Sequence, residues 1–159
     1  MSRRKKREIR SLLPDPKYNS TQVSKFINYV MRRGKKSTSQ KIVYDAFAII
    51  EKRAERKGLD VFLNAIENVS PFLEVRSRRI GGANYQIPFP VEGERKFTLA
   101  SRWIIGVARN KKGKAMSEKL ASELIAASKK QGDAIKKRED THAMAEANKA
   151  FAHFARFAR

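Results

Sequence analysis

Apolar residues recur every three to four positions along most of this chain, which is the spacing of one face of an α-helix. The first such stretch follows Ser20 and Thr21, whose hydroxyls can cap a helix, and Gly34 is expected to end it. Arg32 and Arg33 would then lie in its last turn, where cations favour the helix dipole. The inward positions of this predicted helix are Val23, Phe26, Ile27, Val30 and Met31.

Five further helices are predicted from the same spacing. The second is expected to end at Gly58, the third to be capped by Asp60 and closed by Pro71, and the last to be capped by Asp133. The last helix is rich in alanine, and small side chains allow a helix to lie close to another surface. These helices are predicted at about residues 38–56, 60–70, 93–109, 115–129 and 133–152.

The apolar period changes from 3.6 to 2 between residues 72 and 90, which predicts a β-hairpin. Gly81-Gly82-Ala83-Asn84 has the composition of a turn, and Pro88 and Pro90 cannot donate to a ladder, so the second strand should be an edge. A lone two-stranded ribbon is marginally stable in water. We therefore expect a mainly α fold, a single domain over residues 20–155, with the hairpin projecting from it and steadied by a partner.

The two ends of the chain carry charge without periodicity. Residues 1–19 have six cations among their first ten positions, followed by the stiff segment Pro14-Asp15-Pro16. Such a segment cannot bury enough apolar surface to offset its ordering entropy, so it is predicted as a basic arm that is disordered until it binds phosphate. Residues 156–159 are predicted as a basic tail.

The charge of the whole chain points to a polyanionic partner. Its 159 residues include 36 lysines and arginines against 16 aspartates and glutamates, a net charge of +20 that repels itself. The 41% apolar content is enough for a core, which excludes a wholly disordered basic protein. Because the cations are spread along the chain rather than concentrated on one amphipathic helix, nucleic acid is favoured over an anionic membrane.

Several classes of site and location are excluded by what the sequence lacks. There is no cysteine, so a disulfide framework, a thiolate zinc site and a cysteine nucleophile are ruled out. The basic start is not followed by the apolar core of a signal peptide, and no apolar run is long enough to span a bilayer. The sequence thus predicts a cytoplasmic protein without a cofactor.

The turn after the first predicted helix is a candidate phosphate contact. Gly34-Lys35-Lys36-Ser37 differs from a nucleotide-binding P-loop, because Tyr29 stands where the first glycine is needed and a helix precedes the segment. Lys35 and Lys36 are therefore predicted to bind RNA phosphates rather than a nucleotide. The basic loop after the fourth helix supplies further candidates, Arg109, Lys111 and Lys114.

The hairpin combines Arg76, Arg78 and Arg79 with Tyr85. Arginine gives planar contacts to phosphates or bases, and tyrosine offers a stacking face. In a regular register Arg76 and Arg78 share one strand face. An ordinary solvated hairpin is the alternative, but two glycines at the tip permit close backbone approach to a ligand.

Trp103 and the two histidines are interpreted as structural or RNA-contacting residues. Trp103 has helical apolar spacing, which is typical of a core residue, whereas Arg102 beside it faces elsewhere and can reach RNA. His142 and His153 would lie about 16 Å apart on one helix, too far to share a metal ion.

Motifs along nearly the whole chain resemble those of one family, bacterial small-subunit ribosomal protein seven. The most specific segment is Glu74–Pro88. The other segments are Pro14–Tyr18, Lys25–Asn28, Met31 with Gly34–Ser37, Ile42–Ala46, Arg102–Trp103, Lys137–His142 and Met144–His153.

The resemblance implies a fold of six helices with a protruding β-hairpin and a role as a primary binder of small-subunit rRNA. That role is to organise the 3′ major domain, which forms the head, and to nucleate its assembly. The hairpin, with its tip at Gly81, Gly82, Ala83, Asn84 and Tyr85, would lie near the exit-site tRNA and the messenger path. Implied protein neighbours are other head proteins and the eleventh small-subunit protein.

The resemblance also implies which cations bind rRNA, and it has departures. Ala143 stands where a lysine is expected, Phe89-Pro90 where a plainer strand is usual, and Ser101 where an aliphatic residue is common. The tail after Phe154 is idiosyncratic, which leaves contacts at Arg156 and Arg159 open. The implied rRNA-binding residues are Arg3, Arg4, Lys5, Arg10, Lys35, Lys36, Arg76, Arg78, Arg79, Arg95, Lys96 and Arg102.

The sequence therefore predicts a non-enzymatic RNA-binding constituent of the small ribosomal subunit. An RNA-modifying enzyme is the alternative from another class, and it would need a metal cluster, cofactor loop or activated nucleophile that the motifs do not supply. A free module that represses its own messenger RNA is a second alternative, and it is compatible with the ribosomal role.

Overall fold

The computed structural model describes residues 12–157, with side chains from 12 to 154. This part of the chain is mainly helical, as predicted, with a two-stranded antiparallel hairpin, and none of its helices is long and apolar enough to cross a membrane. The elements are α1 Thr21–Val30, α2 Lys36–Ala54, α3 Gly58–Val69, β1 Leu73–Ile80, β2 Ala83–Pro90, α4 Glu94–Asn110, α5 Met116–Ser128, α6 Asp133–Ala147 and a C-terminal 3₁₀ helix, Lys149–Phe157.

The first helix is shorter than predicted. It ends at Val30, so Arg32 and Arg33 lie in the following turn and not in its last turn. The backbone leaves the helical region at Met31, where ψ is 138°, and then turns through positive φ at Arg33 (52°) and Gly34 (73°). As a result α2 starts directly at Lys36.

Gly58 begins α3, whereas the sequence predicted that it ends the second helix. The left-handed residue that ends α2 is Glu55, with φ 51°. A Cβ atom at Gly58 would lie 2.8 Å from the Phe47 Cβ atom, so only glycine allows the start of α3 to pack this closely on α2. Asp60 is in the first turn of α3 and is not its cap.

The core is one cluster of buried residues contributed by all six α-helices. Its centre is aromatic: the ring of Phe62 lies 4.9 Å from Phe26 and 5.5 Å from Phe47, measured between centroids. Most inward positions predicted from the periodicity are buried, and Trp103 packs against the cluster as a partly buried residue. The helical body therefore provides a firm support for the surface cations.

The end of the predicted arm lies against this body. Asp15 is buried, and its carboxylate accepts hydrogen bonds from the backbone N–H groups of Lys17 and Tyr18 (both 3.1 Å) and from the hydroxyl of Tyr44 (2.8 Å). The ring of Tyr18 packs edge-on against Phe47, 5.1 Å between centroids. These contacts hold residues 15–18 against α2.

The hairpin is confirmed in full, with regular pairing from Leu73↔Pro90 to Ile80↔Ala83. Gly81 and Gly82 form the two-residue turn with φ of 56° and 92°, and Ala83 and Asn84 already belong to β2. A turn with two positive φ values matches the right-handed twist of the strands.

Contacts within the chain support the hairpin at two places, and the expected support by a partner stays a prediction. At its base, Ile87 and Glu74 are buried. Nearer the tip, the ring of Tyr85 packs against the rings of Phe151 and Phe154 of the 3₁₀ helix, with centroid distances of 5.1 and 5.9 Å. A 3₁₀ helix has about three residues per turn, so residues three apart lie on one face. That periodicity aligns Phe151 and Phe154 toward Tyr85.

The last predicted helix is wrong in its extent. It ends at Ala147, because the backbone leaves the α-helical region at Asn148 (φ −100°, ψ 14°). The side-chain amide of Asn148 also donates to the Met144 carbonyl at 2.8 Å, one of the carbonyls at the end of the helix. Gly132, with φ 96°, occupies the cap position predicted for Asp133. His153 consequently lies on the 3₁₀ helix and not on the helix of His142.

Candidate nucleic-acid interface

The turn between α1 and α2 and the end of α4 form one basic groove of about 290 Å³. Lys35 and Arg109, predicted separately, both line it, together with Arg32, which the sequence analysis did not select. The signal for Arg32 was its place beside the predicted Lys35-Lys36 turn. The apolar part of the lining comes from Val30, Ile42 and Met116.

Arg109 is fixed in this groove by the end of α1. Its guanidinium donates to the Val30 carbonyl at 3.1 Å, which satisfies one of the carbonyls left free where that helix stops. Burial and the nearby charge of Arg32 lower the pKa of Arg109 from its ordinary value. An anion bound in the groove would reduce the repulsion between these two guanidinium groups.

The hairpin arginines divide between its two faces. Arg76 and Arg78 share one face, as predicted, because they pair with Ile87 and Tyr85 in a regular register. Arg79 pairs with Asn84 on the opposite face, and both residues are exposed. The hairpin thus presents cations in two directions.

A buried carboxylate joins the hairpin base to α4. Glu74 accepts hydrogen bonds from Arg76 Nε at 2.6 Å and from Arg95 Nε and Nη2 at 3.1 and 2.8 Å. Burial alone would raise the pKa of Glu74, but the hydrogen bonds and charges of Arg95 and Arg76 outweigh it, so the pKa lies below its ordinary value. The Arg76 guanidinium also lies over the Phe89 ring, 5.1 Å from its centroid.

A second buried carboxylate holds a cation of the basic loop. Glu123 is fully buried on α5, and it pairs with Lys111. Its other oxygen accepts the Ala134 N–H at 3.0 Å, which caps the start of α6. Glu123 therefore joins the end of α4, α5 and the start of α6, whereas Lys114 is exposed in the loop after α4.

The remaining predicted residues divide into three groups. Lys36 and Arg102 are exposed, and the Lys96 ammonium lies 5.0 Å from the centroid of the Phe72 ring. The hairpin tip at Gly81, Gly82, Ala83 and Asn84 is exposed, whereas Tyr85 is half-buried against the 3₁₀ helix. Arg3, Arg4, Lys5, Arg10 and Arg159 lie outside the described residues, as does the side chain of Arg156.

The two histidines have separate local partners. His142 Nε2 accepts the Phe72 backbone N–H at 3.1 Å, and His153 Nδ1 lies 2.8 Å from the Ala150 carbonyl. Within residues 12–154, no group of three or more His, Cys, Asp or Glu side chains could hold a metal ion. The described residues present separate basic patches on a packed body, and the chemistry of these patches suits phosphate groups.

Comparison with known proteins gives one family. The family model for ribosomal protein S7p/S5e matches residues 2–149. The chain is 57% identical to a small ribosomal subunit protein uS7 from Thermotoga petrophila over 152 residues, which are 96% of this chain and 98% of the relative. It is 55% identical to the protein of the same name from Xanthobacter autotrophicus over 154 residues, 97% of this chain and 99% of the relative.

Proposed function

Because the chain belongs to the ribosomal protein S7p/S5e family, we propose that it binds small-subunit rRNA directly, organises the 3′ major domain and nucleates assembly of the head. It is a structural, non-enzymatic constituent of the small ribosomal subunit in the cytoplasm and acts in translation.

The observation that carries this proposal is the distribution of cations over one packed body. The groove of Arg32, Lys35 and Arg109 lies between helix ends, while Arg79 lies on the hairpin and Arg102 on α4. Patches on different elements can hold RNA helices that are distant in the rRNA secondary structure. Double-stranded RNA is read mainly by shape and 2′-hydroxyl groups, so we infer that specificity comes from the geometry of a helix junction.

The test is a comparison of two transcripts from small-subunit rRNA, one of the 3′ major domain and one of the 5′ domain. We expect the protein to bind the 3′ major domain more tightly at every salt concentration, with both affinities falling as salt rises because phosphates are neutralised. The double substitution Lys35→Ala with Arg109→Ala should reduce the difference in affinity between the two transcripts. Equal affinity for both transcripts would contradict the proposal.

We further propose that the hairpin lies near the exit-site tRNA and the messenger path, and that the protein contacts other head proteins and the eleventh small-subunit protein. This position is supported by Arg79 and Asn84, which are exposed polar side chains, and by the two-glycine tip, which allows close backbone approach. A photo-crosslinker at Asn84 in assembled ribosomes should label tRNA or messenger, and a matched one at Asp45, exposed on α2, should not. Labelling of protein alone from Asn84 would argue against this position.

A further inference from the structure

Phe72 is a large aromatic side chain that the fold leaves in solvent. It lies between α3 and β1 and is 69% exposed. Among residues 12–154 the other exposed large hydrophobic side chains are Leu13, Leu63 and Met144, so Phe72 is the one aromatic residue of this set. None of the basic patches described above includes this ring.

Hydrogen bonds fix the backbone of Phe72, and the imidazole of His142 contacts its ring. The Phe72 N–H donates to His142 Nε2 at 3.1 Å, and the Phe72 carbonyl accepts the Val91 N–H at 2.9 Å. Burial and the charge of Arg138 lower the pKa of His142, which keeps the imidazole neutral and able to accept at neutral pH. The imidazole also stacks against the ring, 6.0 Å between centroids and 29° between planes.

A lysine side chain lies beside the Phe72 ring. The Lys96 ammonium lies 5.0 Å from the Phe72 centroid, and Arg95 next to it is fixed by Glu74. A fixed aromatic face beside an ammonium group has the chemistry of a single-stranded nucleotide site, in which the base stacks on the ring and the phosphate pairs with the cation. A base can replace the weak contact between the Lys96 ammonium and the ring.

We propose that Phe72 is a stacking platform for an unpaired base of the bound RNA, and that Lys96 contacts the phosphate of that nucleotide. The proposal rests on the RNA-binding function proposed above. Every base has a stacking face, so this site adds affinity without selecting a base. His142 acts as a positioning residue, since it holds Phe72 through its backbone N–H.

The first test measures affinity for the 3′ major domain transcript as a function of salt. Phe72→Ala should weaken binding about tenfold to a hundredfold, with an unchanged slope of log K against log salt, because a stacked base is lost and no charge is removed. Phe72→Tyr should restore the affinity. Lys96→Ala should reduce the slope by about 0.7 to 0.9, the effect of one phosphate contact.

Met144→Ala is the matched control, because Met144 is also an exposed apolar residue, 52% accessible on α6, and its removal should leave affinity unchanged. If the parent chain binds the transcript and the affinity of Phe72→Ala is within twofold of the parent affinity, the proposal is overturned. A protein partner would then be the remaining candidate for contact with the Phe72 ring. If the parent chain itself does not bind, both this proposal and the proposed function fail.

The second test is spectroscopic and does not depend on affinity. The chain has one tryptophan, Trp103, so Phe72→Trp in a Trp103→Phe background carries a single indole at the proposed site. We expect RNA to quench its fluorescence strongly through stacking, and circular dichroism would confirm that the helical body is retained. Fluorescence that stays unquenched at saturating RNA would overturn the proposal.

Discussion

Two buried carboxylates fix cations that the sequence assigns to RNA binding. Glu74 holds Arg76 and Arg95, and Glu123 holds Lys111. Removing one partner of a buried pair leaves an uncompensated charge, so these cations stabilise the fold as well as the charged surface. Substitutions at Arg79 or Arg102, which are exposed, should change RNA binding with less effect on stability.

The pairing of Glu74 predicts a pH dependence of stability. Its pKa is lower in the folded state, so the unfolded chain binds more protons at acid pH. The stabilisation is complete above the unfolded pKa, about 4.3, and is lost as the pH falls through the folded pKa. Glu74→Gln should therefore cost about 1 to 2 kcal/mol at pH 7 and flatten the acid side of the stability curve, measured by urea unfolding.

Glu92→Gln is the control for this measurement, because Glu92 is an exposed glutamate just before α4. It should leave both the stability at pH 7 and the acid dependence unchanged. An acid dependence that survives in Glu74→Gln would show that other carboxylates cause it.

Substitution of Gly58 should destabilise the fold, although its position in the sequence alone does not suggest this. A Cβ atom there would lie 2.8 Å from the Phe47 Cβ atom and 3.0 Å from the Phe47 carbonyl oxygen. Gly58→Ala should destabilise the fold by about 1 to 3 kcal/mol through overpacking, measured by thermal or urea unfolding. Gly106→Ala is the contrast, since a Cβ atom there would meet nothing within 4 Å apart from its chain neighbours and the backbone of α4, and it should stabilise by about 0.5 to 1 kcal/mol.

Helices and strands differ from their predictions where a contact distant in sequence decides the backbone. Periodicity correctly predicts the hairpin and the inward faces of the helices, because both follow from local spacing. The start of α3 depends on the approach of Gly58 to Phe47, and the support of Tyr85 depends on Phe151 and Phe154, which no spacing shows. The same holds for the groove that brings Lys35 to Arg109.

Substitutions in the 3₁₀ helix should destabilise the hairpin without any change in the sequence of its strands. Phe151→Ala with Phe154→Ala removes both rings that contact Tyr85, each pair being worth about 0.5 to 1.5 kcal/mol beyond the area it buries. We expect the amide groups of β1 and β2 near the tip to exchange hydrogen faster, while those of α1 to α5 keep their protection. Hydrogen exchange followed by NMR would measure both.

His153→Ala is the matched control, because His153 lies on the same 3₁₀ helix and its ring contacts Phe154, 4.0 Å between centroids, with no contact to Tyr85. It should leave the exchange of the hairpin amides unchanged. Equal exchange in the double variant and the parent chain would mean that the strands hold the hairpin by themselves.

The whole molecule combines cations fixed on a packed body with a basic segment before it. The body presents Arg32, Lys35 and Arg109 in a groove whose geometry is set by helix ends. Fixed cations lose little conformational entropy on binding, so they can discriminate between RNA geometries. Residues 1–10 add six cations, and we expect them to add affinity that depends on salt more than on RNA shape.

Deleting residues 1–10 should separate these two contributions. The slope of log K against log salt for the 3′ major domain transcript should fall by about 0.7 to 0.9 for each lost cation that contacts a phosphate. Because the groove and the hairpin are retained, the preference for this transcript over the 5′ domain should persist. Replacing the six cations by serine at unchanged length is the control, and it should reproduce the deletion. An unchanged slope would mean that the segment does not contact phosphate, and a lost preference would mean that it carries specificity.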